Sequence, residues 1–129
     1  METFTVKTGA REILIDITAE VRSAVEKMKI NSGVCYIYTP HTTAAITINE
    51  NADPSVPADI IKGLKSLNLE DTAFSHMEGN SPAHIKSSLI GASEIVFVEN
   101  GRLQLGTWQG IFFCEFDGPR TRNVMVKVI

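Results

Sequence analysis

Residues 94–129, EIVFVENGRLQLGTWQGIFFCEFDGPRTRNVMVKVI, decide the fold class of this chain. The stretch is rich in β-branched and aromatic residues, which favour strands. Its turns at Asn100–Gly101 and 117–119 are far shorter than the roughly dozen residues that a parallel crossover needs. The last third of the chain therefore predicts antiparallel strands, at Glu94–Glu99, Arg102–Gln109, Gly110–Phe116 and Arg122–Ile129.

The residues before this stretch predict helices and further strands. Apolar residues recur at helical spacing from Ile17 to Met28, and an apolar stripe from Pro57 to Leu67 predicts a second buried helix face. Together with about three helices, the strands indicate an α+β fold with a largely antiparallel or mixed sheet in a single domain, 1–129. The helices are expected to start at the caps Thr18 and Asp53–Pro54 and at Ser81–Pro82, the last ending at Gly91. The remaining strands are expected at 4–8, 12–17, 34–39 and 44–49, the first two paired around Gly9.

Composition excludes several classes of partner. The chain carries 12 basic and 15 acidic residues with no basic block, so we expect no binding to nucleic acid. It has neither a signal peptide nor an apolar run approaching the roughly 20 residues of a membrane span, which predicts a cytoplasmic protein without membrane contact. Cys35 and Cys114 lie in apolar, strand-like segments and are expected to be free thiols in the core. Neither has the CxxC partner of a metal or redox site.

The three histidines are the most informative polar residues. His41, His76 and His84 all lie in segments rich in Gly, Pro, Ser, Thr and Asn, where binding residues concentrate. Three protein ligands plus water are typical of a catalytic zinc site. The sequence therefore predicts that these histidines converge on a cation, although their spacing matches no short metal motif. The alternative is a turn residue, a solvated loop residue and a helix-start residue with no common role.

Other residues extend the predicted site. Glu78 lies two residues from His76 and is the expected base for a metal-bound water, while His84 is expected to be essential for catalysis through the metal. The start of the Ser81–Pro82 helix and nearby cations predict a phosphate site, and Trp108 is expected to stack on a heterocycle. Solvated arginines and a core or interface tryptophan are the alternatives. The predicted ligand- and phosphate-binding residues are Lys86, Ser87, Ser88, Arg102, Thr107, Trp108 and Arg120.

Three long segments resemble the signature motifs of the YjbQ family. They are His41–Pro54, Pro82–Gly91 and Gly101–Ile111, in that order, and the resemblance covers essentially the whole chain. The family consists of small α+β proteins associated with trimers and with a weak thiamine-phosphate synthase activity. The resemblance implies a homotrimer and a site that uses His41, His76 and His84.

The resemblance also implies a reaction. A thiamine-phosphate synthase would transfer the pyrimidine group of a pyrimidine diphosphate onto a phosphorylated thiazole, and a cation would stabilise the departing pyrophosphate. Zinc is the expected metal for the histidines, and magnesium suits the transferase. Two alternatives stay open, a metal-assisted hydrolase of a phosphorylated small molecule and a non-catalytic module that binds a metal or anion.

Overall fold

The computed structural model describes residues 1–129 and contains eight strands and three α-helices. The strands are β1 (Glu2–Lys7), β2 (Ile13–Asp16), β3 (Gly33–Tyr38), β4 (Ala44–Glu50), β5 (Ser93–Glu99), β6 (Arg102–Leu103), β7 (Gln109–Glu115) and β8 (Thr121–Val128). The helices are α1 (Thr18–Met28), α2 (Ser55–Lys65) and α3 (Ser81–Ile90), and a single 3-10 turn spans Leu69–Asp71.

The strands form two sheets. The larger sheet has the order β1-β8-β3-β5-β6, and the smaller sheet has the order β2-β7-β4. Every strand pair is antiparallel. This confirms the predicted α+β class with antiparallel sheets and three helices.

The smaller sheet is covered on both faces, which explains why β7 is apolar along most of its length. Ile111 and Phe113 point into a main core that joins α1 to the inner faces of both sheets. Cys114, on the opposite face of β7, packs with Ala45 and with Ala83 of α3 in a second cluster. Because successive side chains of a strand point to opposite faces, a strand covered on both sides reads as a continuous apolar run. This packing places α3 against β4.

Two predictions about local structure are wrong. The strand pair around Gly9 does not form, because β1 pairs with β8 and β2 pairs with β7 in the other sheet. The strand predicted over Arg102–Gln109 is limited to Arg102–Leu103, because the next residues form a turn in which the Gly106 N–H donates to Gln109 Oε1 at 2.8 Å. In both places, residue type predicted extended backbone but not the pairing partner, which long-range contacts decide.

The helix caps also differ in part from the prediction. Thr18 lies inside α1, and the Asp16 carboxylate accepts hydrogen bonds from both its N–H and its hydroxyl, at 2.9 and 2.6 Å. Asp53 acts as predicted, because its Oδ1 accepts the Ser55 N–H at 2.9 Å. The apolar stripe of α2 is only half-buried, and Leu67 is 52% exposed. The apolar face of α2 is therefore less buried than predicted.

The two cysteines confirm the core prediction. Cys35 and Cys114 are buried free thiols, and burial raises the pKa of Cys35 to about 11 and that of Cys114 to about 12. Thiols with such pKa values are poor nucleophiles at neutral pH.

No helix of the structure has the length and apolar character that crossing a membrane requires.

Candidate functional site

His41 and His84 line one open cavity of about 560 Å³, which we call the histidine groove. His41 lies in the loop that joins β3 to β4, and His84 lies in the first turns of α3. Ser87 and Ser88 follow His84 along the helix and line the same groove. The packing of α3 on β4 brings together residues that are more than forty positions apart in the chain. The groove is lined by residues 38–42, Ala44, His84, Ser87, Ser88, Gly91 and Ala92.

His41 is fixed by a hydrogen bond to the backbone of β8. Its Nε2 accepts the N–H of Asn123 at 2.9 Å, and Thr39 Oγ1 donates to the Asn123 carbonyl at 3.2 Å. A neutral imidazole that accepts at Nε2 carries its proton on Nδ1. Burial lowers the pKa of His41, and the charges of Arg122 and Arg120 lower it further against the opposing effect of Glu115. At neutral pH, His41 is therefore a neutral hydrogen-bond donor through Nδ1.

A buried ion pair anchors the strand beside His41. The Glu115 side chain is 0% exposed and the Arg122 side chain 6% exposed, and Arg122 Nε donates to Glu115 Oε1 at 2.9 Å. Thr8 Oγ1 donates to the same carboxylate oxygen at 2.7 Å, and Arg122 also donates to Thr43 Oγ1 at 2.8 Å. Burial alone would raise the pKa of Glu115, but the bonds from Arg122 and Thr8 hold it below its usual value. Because both charges are paired, Arg122 has no free charge to offer a ligand.

Helix α3 is tied to the loop that carries His41. Ser87 Oγ donates to the Thr42 carbonyl at 2.6 Å, and Ser88 Oγ donates to the His84 carbonyl at 2.9 Å. The Ser87–Thr42 bond joins α3 to the loop on the other side of the histidine groove. The ring of His84 also meets the ring of His76 edge to face, with centroids 5.4 Å apart. His84 therefore has His41 as a neighbour in the groove and His76 as a contacting ring.

The three histidines do not form the predicted metal site within one chain. No group of three or more His, Cys, Asp or Glu side chains lies close enough together to hold a metal ion. His41 also lacks a free lone pair, because Nε2 accepts the Asn123 N–H and Nδ1 carries the proton. The residues as placed therefore do not fit a three-histidine cation site.

The structure does not bring the predicted phosphate-binding groups together at the start of α3. The Lys86 side chain is 0% exposed, and its ammonium contacts Glu12 at 2.7 Å and Glu70 at 3.1 Å. Pro82 has no N–H, and the N–H groups of Ala83 and His84 both donate to the Asn80 carbonyl. Lys86 thus lies in a buried ion pair and not at the groove surface. Ser87 and Ser88 are the predicted phosphate residues that do line the groove.

The other predicted site residues lie apart from the groove. Arg102 lines a different cavity, beside Arg22 and Glu26. Thr107 and Trp108 lie in the exposed turn before β7, and the Trp108 ring is 63% exposed. Arg120 is closer to His41, but its guanidinium contacts Asp117 Oδ2 at 3.0 Å. Glu78 is exposed on the loop before α3, where it accepts a long hydrogen bond from Asn80 at 3.4 Å.

Several residues with a role near the site could not be found from the sequence. Glu12 and Glu70 pair with Lys86 from 74 and 16 positions away, and Asn123 bonds to His41 from 82 positions away. None of these residues lies in a recognisable motif. Arg11, which lines a cavity beside His76, was also missed, because a lone arginine in a turn resembles any solvated residue.

The fold and the groove together define the class of this protein. It is a small α+β protein of two antiparallel sheets, with a cleft between α3 and the β3–β4 loop that two histidines line. The model of the UPF0047 YjbQ-like proteins matches residues 2–129, and the chain belongs to this family.

Relatives and solved structures agree with the assignment. The chain is 54% identical to the UPF0047 protein YugU of Bacillus subtilis over 100% of its own length and 98% of that protein. It is 56% identical to a UPF0047 protein of Methanocaldococcus jannaschii, over 98% of this chain and 91% of the relative. A crystal structure of an uncharacterised YjbQ/UPF0047 protein of Clostridium acetobutylicum has a TM-score of 0.97 at 50% identity and full coverage of both chains. The architecture is therefore that of the family.

Proposed function

We propose that this protein is a small-molecule enzyme that binds a phosphorylated substrate in the histidine groove. The observation that carries the proposal is the placement of His41 and His84 along one open cavity, together with the hydroxyl groups of Ser87 and Ser88. A concave site with a few converging polar groups is the usual form of a ligand pocket. His41 supplies an N–H donor for a phosphate oxygen through Nδ1, and His84 supplies a ring able to move a proton.

The two histidines have different proposed roles. His41 is held in one tautomer by Asn123, so it is suited to donate a hydrogen bond to an oxygen that gains negative charge. His84 has no side-chain hydrogen bond and is half-buried, so it is free to take or give a proton. This assignment makes His41 a binding group and His84 the general acid or base.

The specific reaction proposed first is transfer from a pyrimidine diphosphate onto a phosphorylated thiazole, with release of pyrophosphate. In this reaction the groove would hold phosphate oxygens of the substrates and exclude part of the water around them. Hydrolysis of a phosphorylated small molecule is the second reaction to assay.

We also propose that the protein acts in the cytoplasm, because two free thiols suit that compartment.

Replacement of His84 tests the proposal. We expect His84→Ala to lower turnover of the thiazole and pyrimidine substrates by about 10² or more, as is typical of a lost general acid or base. Leu89→Ala is the matched control, because Leu89 lies on the same helix, is 62% exposed and does not line the groove. Steady-state assays and calorimetric titration with a phosphorylated thiazole give turnover and binding separately.

The outcomes of these assays separate an enzyme from a binding module. Equal turnover in the His84→Ala variant and the parent would contradict the role of the groove. Binding without turnover in the parent, for every phosphorylated substrate, would favour the non-catalytic module. Glu78→Gln tests the base that the sequence predicted on the loop before α3, and turnover at the parent rate would exclude Glu78 from this role.

We also propose a metal site that uses two of the three histidines and not all three. If zinc or magnesium binds, we expect His76 and His84 to contribute, with other ligands from outside this pair, because their rings are in contact. His41→Gln should then leave the metal content unchanged, since Nε2 of His41 is occupied by Asn123. Elemental analysis of protein purified without an affinity tag measures this content directly. Loss of the metal in His41→Gln would contradict this arrangement.

A further inference from the structure

A phosphorylated ligand in the histidine groove needs a cation, and the cations nearest to the groove are already paired. Lys86 is buried between Glu12 and Glu70, and Arg122 is buried against Glu115. Arg120 is bound to Asp117 through its Nε and its terminal nitrogen. A cation that already pairs with a carboxylate contributes less to an additional anion, because much of its charge is already neutralised. The groove by itself therefore lacks a free positive charge.

A second cavity, which we call the Arg11 pocket, has this charge. It has a volume of about 280 Å³, and its polar side chains are those of Arg11, Thr72, His76, Ser81 and Glu70. The guanidinium of Arg11 makes no hydrogen bond or salt bridge with the protein, and Arg11 is exposed. Arginine presents a planar fork of donors that matches the oxygens of a phosphate in two parallel bonds.

The Arg11 pocket adjoins the histidine groove. His76 lines the pocket, His84 lines the groove, and the two rings meet edge to face with centroids 5.4 Å apart. Helix α3 contributes Ser81 and Pro82 to the pocket and His84, Ser87 and Ser88 to the groove. One ligand is therefore able to contact both cavities by passing over a single turn of helix.

We infer that the Arg11 pocket is the anion-binding subsite of this protein and that Arg11 holds the phosphate of a ligand whose remaining part lies in the histidine groove. This inference rests on the proposed function, since it names the residue that recognises the substrate class. The hydroxyls of Thr72 and Ser81 and the ring of His76 add further hydrogen-bond donors around the same anion. The phosphate-binding role that the sequence predicted for Lys86 passes to Arg11.

Glu70 is the one acid that lines the Arg11 pocket, and its charge is compensated. Its carboxylate contacts the buried ammonium of Lys86 at 3.1 Å. Hydrogen bonds from its own backbone N–H and from Lys86, together with the charges of Lys86 and Arg11, lower its pKa, so it remains an ionised partner of Lys86. Arg11 is therefore the cation of the pocket whose guanidinium forms no direct ion pair, and the Glu70 carboxylate it faces is already bonded to Lys86.

Titration with inorganic phosphate and pyrophosphate tests the subsite. We expect Arg11→Met to weaken binding by about tenfold or more, which corresponds to the loss of one hydrogen-bonded charge contact. Arg11→Lys should bind with intermediate strength, because a point charge replaces the two-bond fork. Arg102→Met is the matched control, because Arg102 is an exposed cation that lines a different cavity. Side-chain NMR signals of His76 should shift with phosphate in the parent and in the control.

The inference is overturned if Arg11→Met binds phosphate and pyrophosphate as the parent does, or if phosphate shifts His41 and leaves His76 unchanged. Failure of the proposed function has a different signature. Phosphate binding would still depend on Arg11, while His84→Ala would leave the binding and turnover of phosphorylated organic ligands unaltered. The opposite result would exclude the subsite and retain the proposed function. In that case Arg11→Met would bind organic phosphates with undiminished affinity, while turnover of these ligands would still require His84.

Discussion

At the scale of single residues, His41 shows how a backbone contact determines side-chain chemistry. The Asn123 N–H occupies Nε2 of His41, so the ring is a hydrogen-bond donor at Nδ1 and not a metal ligand. The sequence predicted that this histidine would be a metal ligand, whereas in the structure a backbone N–H occupies the nitrogen lone pair that a metal would need. A buried Glu115–Arg122 pair lies close enough to affect its pKa, and both features are accessible to direct measurement.

We predict that His41 titrates below its usual value of 6.5 and is the Nδ1–H tautomer at neutral pH. Burial and the charges of Arg122 and Arg120 disfavour its protonated form in the folded protein. The contribution of the neutral His41 ring to the free energy of unfolding is fully present above pH 6.5. It is lost as the pH falls through the lower pKa of His41 in the folded protein. Nitrogen-15 chemical shifts of the ring across a pH series give both quantities. A midpoint at or above 6.5, or the Nε2–H tautomer, would contradict the assignment.

Glu115→Gln should lower the free energy of unfolding by about 3 kcal/mol at neutral pH, because it leaves the buried Arg122 without its charge partner. The pKa of Glu115 in the folded protein lies below 4.5, so its contribution is present above pH 4.5 and is lost as the pH falls through the folded value. The difference between parent and variant should therefore shrink in acid. Urea unfolding at several pH values measures it. Arg120→Gln breaks the exposed pair with Asp117 and should cost less than about 1 kcal/mol.

At the scale of elements, α3 is the centre of the site. One face of the helix packs Ala83 against the smaller sheet, another presents His84 to the groove, and Lys86 ties the 3-10 turn at Leu69–Asp71 to the body of the protein through Glu70. The loop that carries His76 is therefore positioned from the same helix that carries His84. The buried ammonium acts as an anchor for the loop.

We predict that Glu70→Ala loosens this loop with little effect on overall stability. The Glu70 side chain is 46% exposed, so the Lys86–Glu70 bond should contribute no more than about 1 kcal/mol, and Glu12 remains to pair with Lys86. Amide hydrogen exchange should become faster between residues 69 and 79 and stay unchanged in β4 and β7. Glu99→Ala, which removes an exposed hydrogen bond with Ser32, is a control at a distant loop. Unchanged exchange in residues 69–79 would mean that Lys86 does not position the loop.

At the scale of the whole molecule, the larger sheet leaves one apolar face uncovered. Tyr36, Tyr38, Ile95 and Phe97 are exposed at 40, 44, 54 and 66% on the outer face of β3 and β5. The register places Tyr36 opposite Ile95, so these side chains form one surface. The apolar, tryptophan-containing region from Gly106 to Phe116 does not offer such a surface, because Gly110 to Phe116 are buried. A contiguous apolar surface on a small protein is typical of an association site.

We predict that the homotrimer implied by the family resemblance uses the outer face of β3 and β5. Phe97→Asp places a charge at the centre of this apolar surface and should shift the protein to lower mass in sedimentation equilibrium at micromolar concentration. Leu89→Asp, at an exposed position of α3 outside β3 and β5, should leave the mass unchanged. A parent protein that sediments as a monomer would contradict the trimer, and a Phe97→Asp trimer would place its interface elsewhere.

The sequence by itself determined the α+β class, the three helices, the Asn100–Gly101 hairpin turn and the burial of both cysteines. These features follow from local patterns, since alternation, helical spacing, capping and turn residues act over a few positions. Only the tertiary structure decided that β1 and β2 belong to different sheets, that Lys86 is buried between Glu12 and Glu70, and that Asn123 fixes His41. Each of these depends on a contact between distant positions, and such contacts form because packing the two sheets and α3 brings those residues together.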